Sequence, residues 1–343
     1  MTHTPLVLVG NAKDGSVSVL RLTEGRLEPV SRNAVGVGCA TFAVDAARDL
    51  VYCATREPEP GLVTLRLNRE TGELVEVSRR AISDTVAYVE LASDGAVLLA
   101  ASYHGGWGRA WPIVDGVLGE PGPAIEYRNV HCVLADRQGK HAYFVSLGDD
   151  LVAQYEVGRD GALSPLAPET VSVPVGSGAR HLVLSSDQRS AYLVTEYTGK
   201  AIRFDRDLST GALTMAESVD IVDPAFGLAV SRYGANPQAE HLIWGADLHL
   251  AVGDRWLLCS ERSGSTLASV RLGDHGELAE VVDFTGTETQ PRGFGVAPDG
   301  RHVVVVGEAS GAATLYRLED DGKLTTLDHI ATGAGPNWVR FVS

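Results

Sequence analysis

Short runs in which apolar and polar residues alternate recur along the whole chain, and each ends in a polar turn. Val17-Ser18-Val19-Leu20-Arg21-Leu22 and Ala313-Thr314-Leu315-Tyr316-Arg317-Leu318 are two of them. A period of two puts successive side chains on opposite faces of a β-strand. Close behind most such runs comes the tripeptide Gly-any-Leu. It stands at Gly25, Gly72, Gly116, Gly161, Gly211, Gly276 and Gly322, at intervals of 47, 44, 45, 50, 65 and 46 residues. The acidic or Gly-rich residues before it predict a hairpin whose turn needs positive φ at the glycine. An earlier hairpin in the unit turns at segments such as Ala92-Ser93-Asp94-Gly95, Asp136-Arg137-Gln138-Gly139, Ser185-Ser186-Asp187-Gln188 and Pro298-Asp299-Gly300. Two hairpins make four antiparallel strands. Seven such units at this spacing predict an all-β, seven-bladed β-propeller.

The ends of the pattern predict closure. The chain starts inside a unit, at Leu6-Val7-Leu8-Val9, and finishes on an orphan first strand, Trp338-Val339-Arg340-Phe341-Val342. The C-terminal strand is expected to join the N-terminal blade, which removes an exposed sheet edge. The 65-residue interval predicts an insertion at about residues 223–244. No linker is visible, so residues 1–343 read as a single domain.

Topology then says where chemistry belongs. With strands a to d running from channel to rim, the a-to-b and c-to-d turns share one face. The d-to-a and b-to-c connections share the other. The regular glycine turns fall on the first face and the irregular segments on the second, which is therefore the functional one. The starts of a strands there offer His131, Arg180, His181, Asp247, His249, Gln290, Arg292, Asn337 and Trp338. The ends of b strands offer Arg56, Glu57, Tyr103, His104, Glu196, Tyr197, Glu261, Arg262 and Glu308. Any one His or Arg at such a mouth often does no more than bond a loop carbonyl. An aromatic such as Trp338 mostly fills space, and Glu57 and Glu308 read as solvated. Several Arg and His aimed with carboxylates at one cleft predict a small-molecule site.

Composition narrows this further. The net charge is −15 with no basic block, which argues against nucleic acid. An anionic substrate would require the scattered Arg and His to be gathered locally against that field. No window reaches the ~18 apolar residues of a membrane span, and the N-terminus lacks the basic and apolar regions of a secretory signal. The four cysteines, Cys39, Cys53, Cys132 and Cys259, lie far apart without a CxxC pair. They read as buried free thiols of a cytoplasmic protein. GxSxG, HExxH and P-loop patterns are missing, and Arg and His outnumber the Asp, Asn and Glu that a calcium site would want. Neither a metal nor a cofactor is expected. The oligomeric state is not readable.

TETQPRGF followed by GVAPDGRHVVVVGEASGAATLYRL resembles the seven-bladed 6-phosphogluconolactonase family of bacteria, which is related to carboxymuconate lactonising enzymes. GSGARHLVLSSDQRSAYLVTEYTGKAIRF, GADLHLAVGDRWLLCSERSGSTLASVRL and the terminal GAGPNWVRFV carry the same resemblance. It covers essentially the whole chain in matching order. It implies hydrolysis of 6-phospho-D-glucono-1,5-lactone in the pentose phosphate pathway, and carries the family's site onto His131, Arg180, Glu196 and Arg292. Two segments depart from the pattern: SYHGGWGRAWPI in the third unit, and the insertion AFGLAVSRYGANPQAEHLIW. Lactone hydrolysis needs a base for water and a partner for the oxyanion. His131 or Glu196 is the expected base, and Arg180 the oxyanion partner or the holder of Glu196. Arg292 is the expected anion anchor, with His249, Arg262, Gln290, His181, His104 and Trp338 as further substrate contacts. The alternatives are a lactonase for a sulfonated or unphosphorylated aldonolactone, a muconolactone cycloisomerase, and a non-catalytic binding platform.

Overall fold

All seven glycines of the Gly-any-Leu signature have φ between +69° and +88°, and each lies between the third and fourth strands of a blade. The computed structural model describes residues 4–343. Six consecutive four-stranded antiparallel units occupy residues 41–81, 88–126, 130–172, 179–220, 245–286 and 293–331, numbered here as blades 1 to 6. Blade 7 closes the ring. Its inner strand is Pro336–Val342, paired with Leu6–Asn11 so that Val9 faces Val339, and Ser16–Thr23 and Arg26–Ala34 lie outside.

The signature is a joint between blades. The leucine amide donates to a side chain of the preceding blade: Leu27 to Asp328 (2.8 Å), Leu74 to Asn33 (3.0 Å), Leu213 to Gln154 (2.7 Å) and Leu278 to Glu217 (2.8 Å). Tyr143 and Tyr192, on second strands, donate to the carbonyls of Gly211 and Gly276 in the following blade, both at 2.6 Å. Each such bond adds on the order of 1 kcal/mol. The repeated tripeptide is thus selected twice, by turn geometry and by contact with its neighbour.

Between blades the apolar faces of adjacent sheets meet. Val304 and Val306 of blade 6, for instance, pack with Val7, Val9 and Val339 of blade 7. Full burial of one such side chain stabilises by roughly 1.5–3 kcal/mol. The second strands are buried almost throughout, whereas the outer strands are partly buried or exposed at nearly every position beyond the signature leucine.

Two places break the repeat. In blade 2 the outer strand is in two pieces, Val117–Leu118 and Ile125–Glu126, which pair with opposite ends of Trp107–Val114. Pro121 and Pro123 lie between the pieces and have no amide to donate. The connection from blade 4 to blade 5 runs through residues 221–244. It holds a 3-10 turn, Pro224–Phe226, a helical turn, Pro237–Glu240, capped by the Asn236 side chain, and a bridge from Ala229 to Leu242. Among the described residues no helix is long and apolar enough to cross a membrane. All four cysteines are free and buried, and the Cys39 and Cys53 sulfurs are 2.8 Å apart.

Candidate active site

A cavity of about 540 Å³ opens at the channel mouth, and every residue that lines it lies on a d-to-a or b-to-c connection or at the adjoining end of a strand. Eight of the expected residues are there: His131, Arg180, Glu196, Arg292, Arg262, His181, His104 and Trp338. His249 and Gln290 are not. His249 lies two residues beyond Asp247 on the inner strand Gly245–Ala251, in a second cavity of the channel. Gln290 has φ +61°, and its carbonyl accepts the amides of Arg292 (2.8 Å) and Glu308 (3.0 Å). It shapes the turn that presents those two residues.

Blades 4 and 5 supply a chain of buried polar groups. Arg180, at 1% exposure, donates from Nε to Oε2 of Glu196 at 2.8 Å and from Nη1 to the Ala246 carbonyl. Nη1 also faces Nε2 of His181 at 3.1 Å. A guanidinium only donates, so this histidine nitrogen accepts, and the proton sits on Nδ1. Nδ1 in turn faces Oδ1 of Asp247 at 2.8 Å. Asp247 therefore fixes the His181 tautomer, and His181 fixes Arg180. Arg262 closes the other side. Its Nη2 donates to Oε2 of Glu196 at 2.8 Å and to the Gly245 carbonyl at 3.0 Å, while its guanidinium lies 3.8 Å over the Trp244 ring. One carboxylate oxygen thus holds two arginines from different blades.

The electrostatics follow from this packing. Burial alone would raise the Glu196 carboxyl, but the charges of Arg262, Arg180 and Arg292 outweigh it and hold it below the usual carboxylate range. Burial pushes Arg262 down to about 9, which leaves it protonated at neutral pH. Burial and the charge of Arg180 push His181 down to about 4. His131 is driven well below the ordinary imidazole value by burial, then by Arg180, His181, Arg292 and Arg262. It is neutral at pH 7. Its Nδ1 is buried without a hydrogen-bond partner, and the ring packs between Tyr103 (5.7 Å, edge to face) and His181 (5.1 Å).

Arg292 differs from the other two arginines. Its nearest carboxylate oxygen, Oε2 of Glu308, is 3.8 Å from Nη1, too far for a hydrogen bond, and the side chain is 35% exposed. The site also holds residues that sequence reasoning missed or misread. Glu308 was expected to be solvated, but its side chain is 20% exposed and lines the cavity opposite Arg292. Lys13 enters from the b-to-c turn of blade 7, and Trp244 from the end of the blade 4–5 connection. Only the closed ring brings Lys13, near the chain start, beside residues from the other end. Trp338 contributes a wall. Its Nε1 donates to the Phe42 carbonyl at 2.9 Å, and its ring meets Tyr88 edge to face. Five cationic side chains, Lys13, Arg56, Arg180, Arg262 and Arg292, face two carboxylates, Glu196 and Glu308, in a protein of net charge −15.

The family model described as "Lactonase, 7-bladed beta-propeller" matches residues 6–341. Among curated proteins, the chain is 27% identical to a 6-phosphogluconolactonase of Serratia proteamaculans, over 98% of this chain and 99% of that one. Among solved structures, a periplasmic gluconolactonase of Pseudomonas aeruginosa superposes with a TM-score of 0.86 at 23% identity, covering 99% of each chain. A protein from Lactobacillus plantarum gives 0.86 at 24% identity, covering 99% of this chain and all of the other. At those identities the structural likeness is one of fold. The family match spans nearly the whole ring, and the chain belongs to the seven-bladed β-propeller lactonase family.

Proposed function

We propose that this lactonase hydrolyses 6-phospho-D-glucono-1,5-lactone to 6-phospho-D-gluconate, with the sugar ring in the cationic cavity and the phosphate on Arg292. The observation that carries the reading is the contrast among the arginines. Arg180 and Arg262 are engaged by Glu196 and by backbone carbonyls, whereas the Arg292 guanidinium makes no hydrogen bond among the described residues. A planar guanidinium with free donors suits a phosphate, which it grips through two oxygens. The curated relatives are named 6-phosphogluconolactonase, which supports the same substrate. Four buried free thiols fit a reducing compartment such as the cytoplasm.

In the proposed reaction, water attacks the lactone carbonyl carbon and gives up a proton to Nε2 of His131. The carbonyl becomes an oxyanion, stabilised by Nη2 of Arg180 and Nη1 of Arg262, the guanidinium nitrogens that neither Glu196 nor a backbone carbonyl engages. The oxyanion collapses, the bond from C1 to the ring oxygen breaks, and His131 returns its proton to that oxygen, which leaves as the 5-hydroxyl. The product is the open acid. His131 is preferred to Glu196 as base because the Glu196 oxygen is already capped by two guanidinium donors at 2.8 Å each. Glu196 is a positioning residue on this reading. The cationic field that makes His131 a weak base is the field that stabilises the oxyanion.

The test is initial-rate hydrolysis, by proton release, of 6-phosphogluconolactone, gluconolactone and muconolactone by the purified protein. The proposal requires the phosphorylated lactone to have the highest kcat/KM. A preference for the unphosphorylated sugar lactone would move the assignment to another aldonolactone, and ring isomerisation of muconolactone would replace hydrolysis.

A further inference from the structure

The insertion between blades 4 and 5 does not simply cover the cationic cavity. With Tyr103 and His104, which both cavities share, it builds a second cleft of about 630 Å³ alongside. That volume lies in the range of small-molecule sites. Its charged groups are already satisfied. Arg128 is bound to Asp149 at 2.6 Å and Arg232 to Glu240 at 2.6 Å, while the carboxylate of Asp150 receives the amides of Gly176 and Gly178 at 2.7 Å each.

Beside these ion pairs the cleft presents apolar and neutral groups. Val175 is 98% exposed and Tyr233 is 66% exposed, both on the functional face. The Ser231 hydroxyl lies in the lining, is 6% exposed at the residue level, and has no hydrogen-bond partner. A buried hydroxyl without a partner costs about 1–3 kcal/mol, which a ligand that bonds it recovers. Tyr103 and Tyr197 add ring surface. Burial pushes the Tyr103 phenol up to about 12, so it remains a neutral donor. Exposed aromatic and aliphatic surface beside an unmet hydroxyl suits a pyranose ring, which has one apolar C–H face and a rim of hydroxyls.

We propose that this cleft is a second subsite of the active centre and takes a neutral pyranose ring carried by the lactone, so that the chain accepts two-ring aldonolactones. The inference rests on the lactonase reading for the position of the first ring. A second sugar joined at O4 of the gluconolactone leaves the 6-position free to face Arg292 while the added ring passes Tyr103 into the cleft.

Calorimetric binding of the open acids tests the subsite apart from turnover. Gluconate is compared with a 4-O-glucosyl gluconate and with an aryl amide of gluconate. The expected result is at least tenfold tighter binding of the glucosyl acid than of gluconate, with that ratio falling close to one in Tyr233→Ala. Equal affinities, an unchanged ratio in Tyr233→Ala, or a preference for the aryl amide over the glucosyl acid each overturn the proposal. Hydrolysis of 6-phosphogluconolactone is followed in parallel. Its absence from the unmodified protein would sink the proposed reaction, while the binding ratio still decides the subsite.

Discussion

Arg292→Ala removes the one cavity arginine whose guanidinium makes no hydrogen bond among the described residues. Two charge-assisted hydrogen bonds to a phosphate are worth about 1.5–3 kcal/mol each. Arg292 is 35% exposed, so water screens part of this. Glu308, 3.8 Å away, opposes an incoming anion and takes back a further share. A net loss of about 3 kcal/mol is the reasonable figure, which is roughly 150-fold in kcat/KM. The phosphate is remote from the bond that breaks, and it is held in the ground state as firmly as in the transition state. Removing such uniform binding raises KM and leaves kcat nearly unchanged. The assay is initial-rate hydrolysis of 6-phosphogluconolactone and gluconolactone by both proteins, with 6-phosphogluconate as a competing ligand. KM should rise on the phosphorylated lactone only, the change on gluconolactone should stay within about threefold, and product inhibition should vanish. Equal losses on the two lactones, or a fall in kcat at constant KM, would refute the anchor and place Arg292 at the reacting carbonyl.

His131→Asn should lower kcat by about 10²–10⁴, the usual worth of a positioned base, with stability within about 1 kcal/mol of the parent. Glu196→Gln should do the reverse in emphasis. It leaves Arg180 and Arg262 without their shared buried carboxylate, which costs about 3 kcal/mol or about 4 °C in Tm for a chain this long, and it should retain more activity than His131→Asn. The opposite ranking in activity would make Glu196 the base. Stability should also fall with acid. His181 is pushed down to about 4 in the folded protein, against about 6.5 unfolded. Its contribution is complete above pH 6.5 and is lost as pH falls towards 4, by roughly 3 kcal/mol. Asp247, held well below its ordinary value, adds a further loss at still lower pH. Urea midpoints between pH 7 and 4 measure this, and His181→Asn should flatten the upper part of the curve. An unflattened curve would mean that His181 is not the titrating group.

Much of the ring was legible because its constraints are local and repeated. A turn that needs φ near +80° admits glycine and little else, so Gly25 to Gly322 mark seven copies whatever surrounds them. Strand order then turns spacings of about 50 residues into neighbouring blades, and His131, Arg180 and Glu196 converge without any knowledge of their partners. The partners themselves were illegible because they depend on depth and direction within the channel. An inner strand advances about 3.3 Å per residue, so His249, two positions past Asp247, lies nearly 7 Å further from the mouth. Asp247 and His249 both line the second cavity rather than the cationic one, though the residue type of His249 suits either. Gln290 fails for a different reason, since its positive φ lends the site its carbonyl rather than its side chain. Glu308 looked solvated because a glutamate in a turn usually is, and the pairing of the inner and second strands of blade 6, with Gly293 facing Val306, sets it beside Arg292. The same logic explains why the acidic net charge was no guide to the cavity. Glu196 engages two guanidiniums through a single oxygen but offsets only one positive charge, so the cavity keeps a cationic excess that no count over the sequence reveals. The charge available to a substrate is therefore fixed by which donors are already engaged, and by that measure Arg292 is the cavity arginine whose guanidinium donors remain open among the described residues.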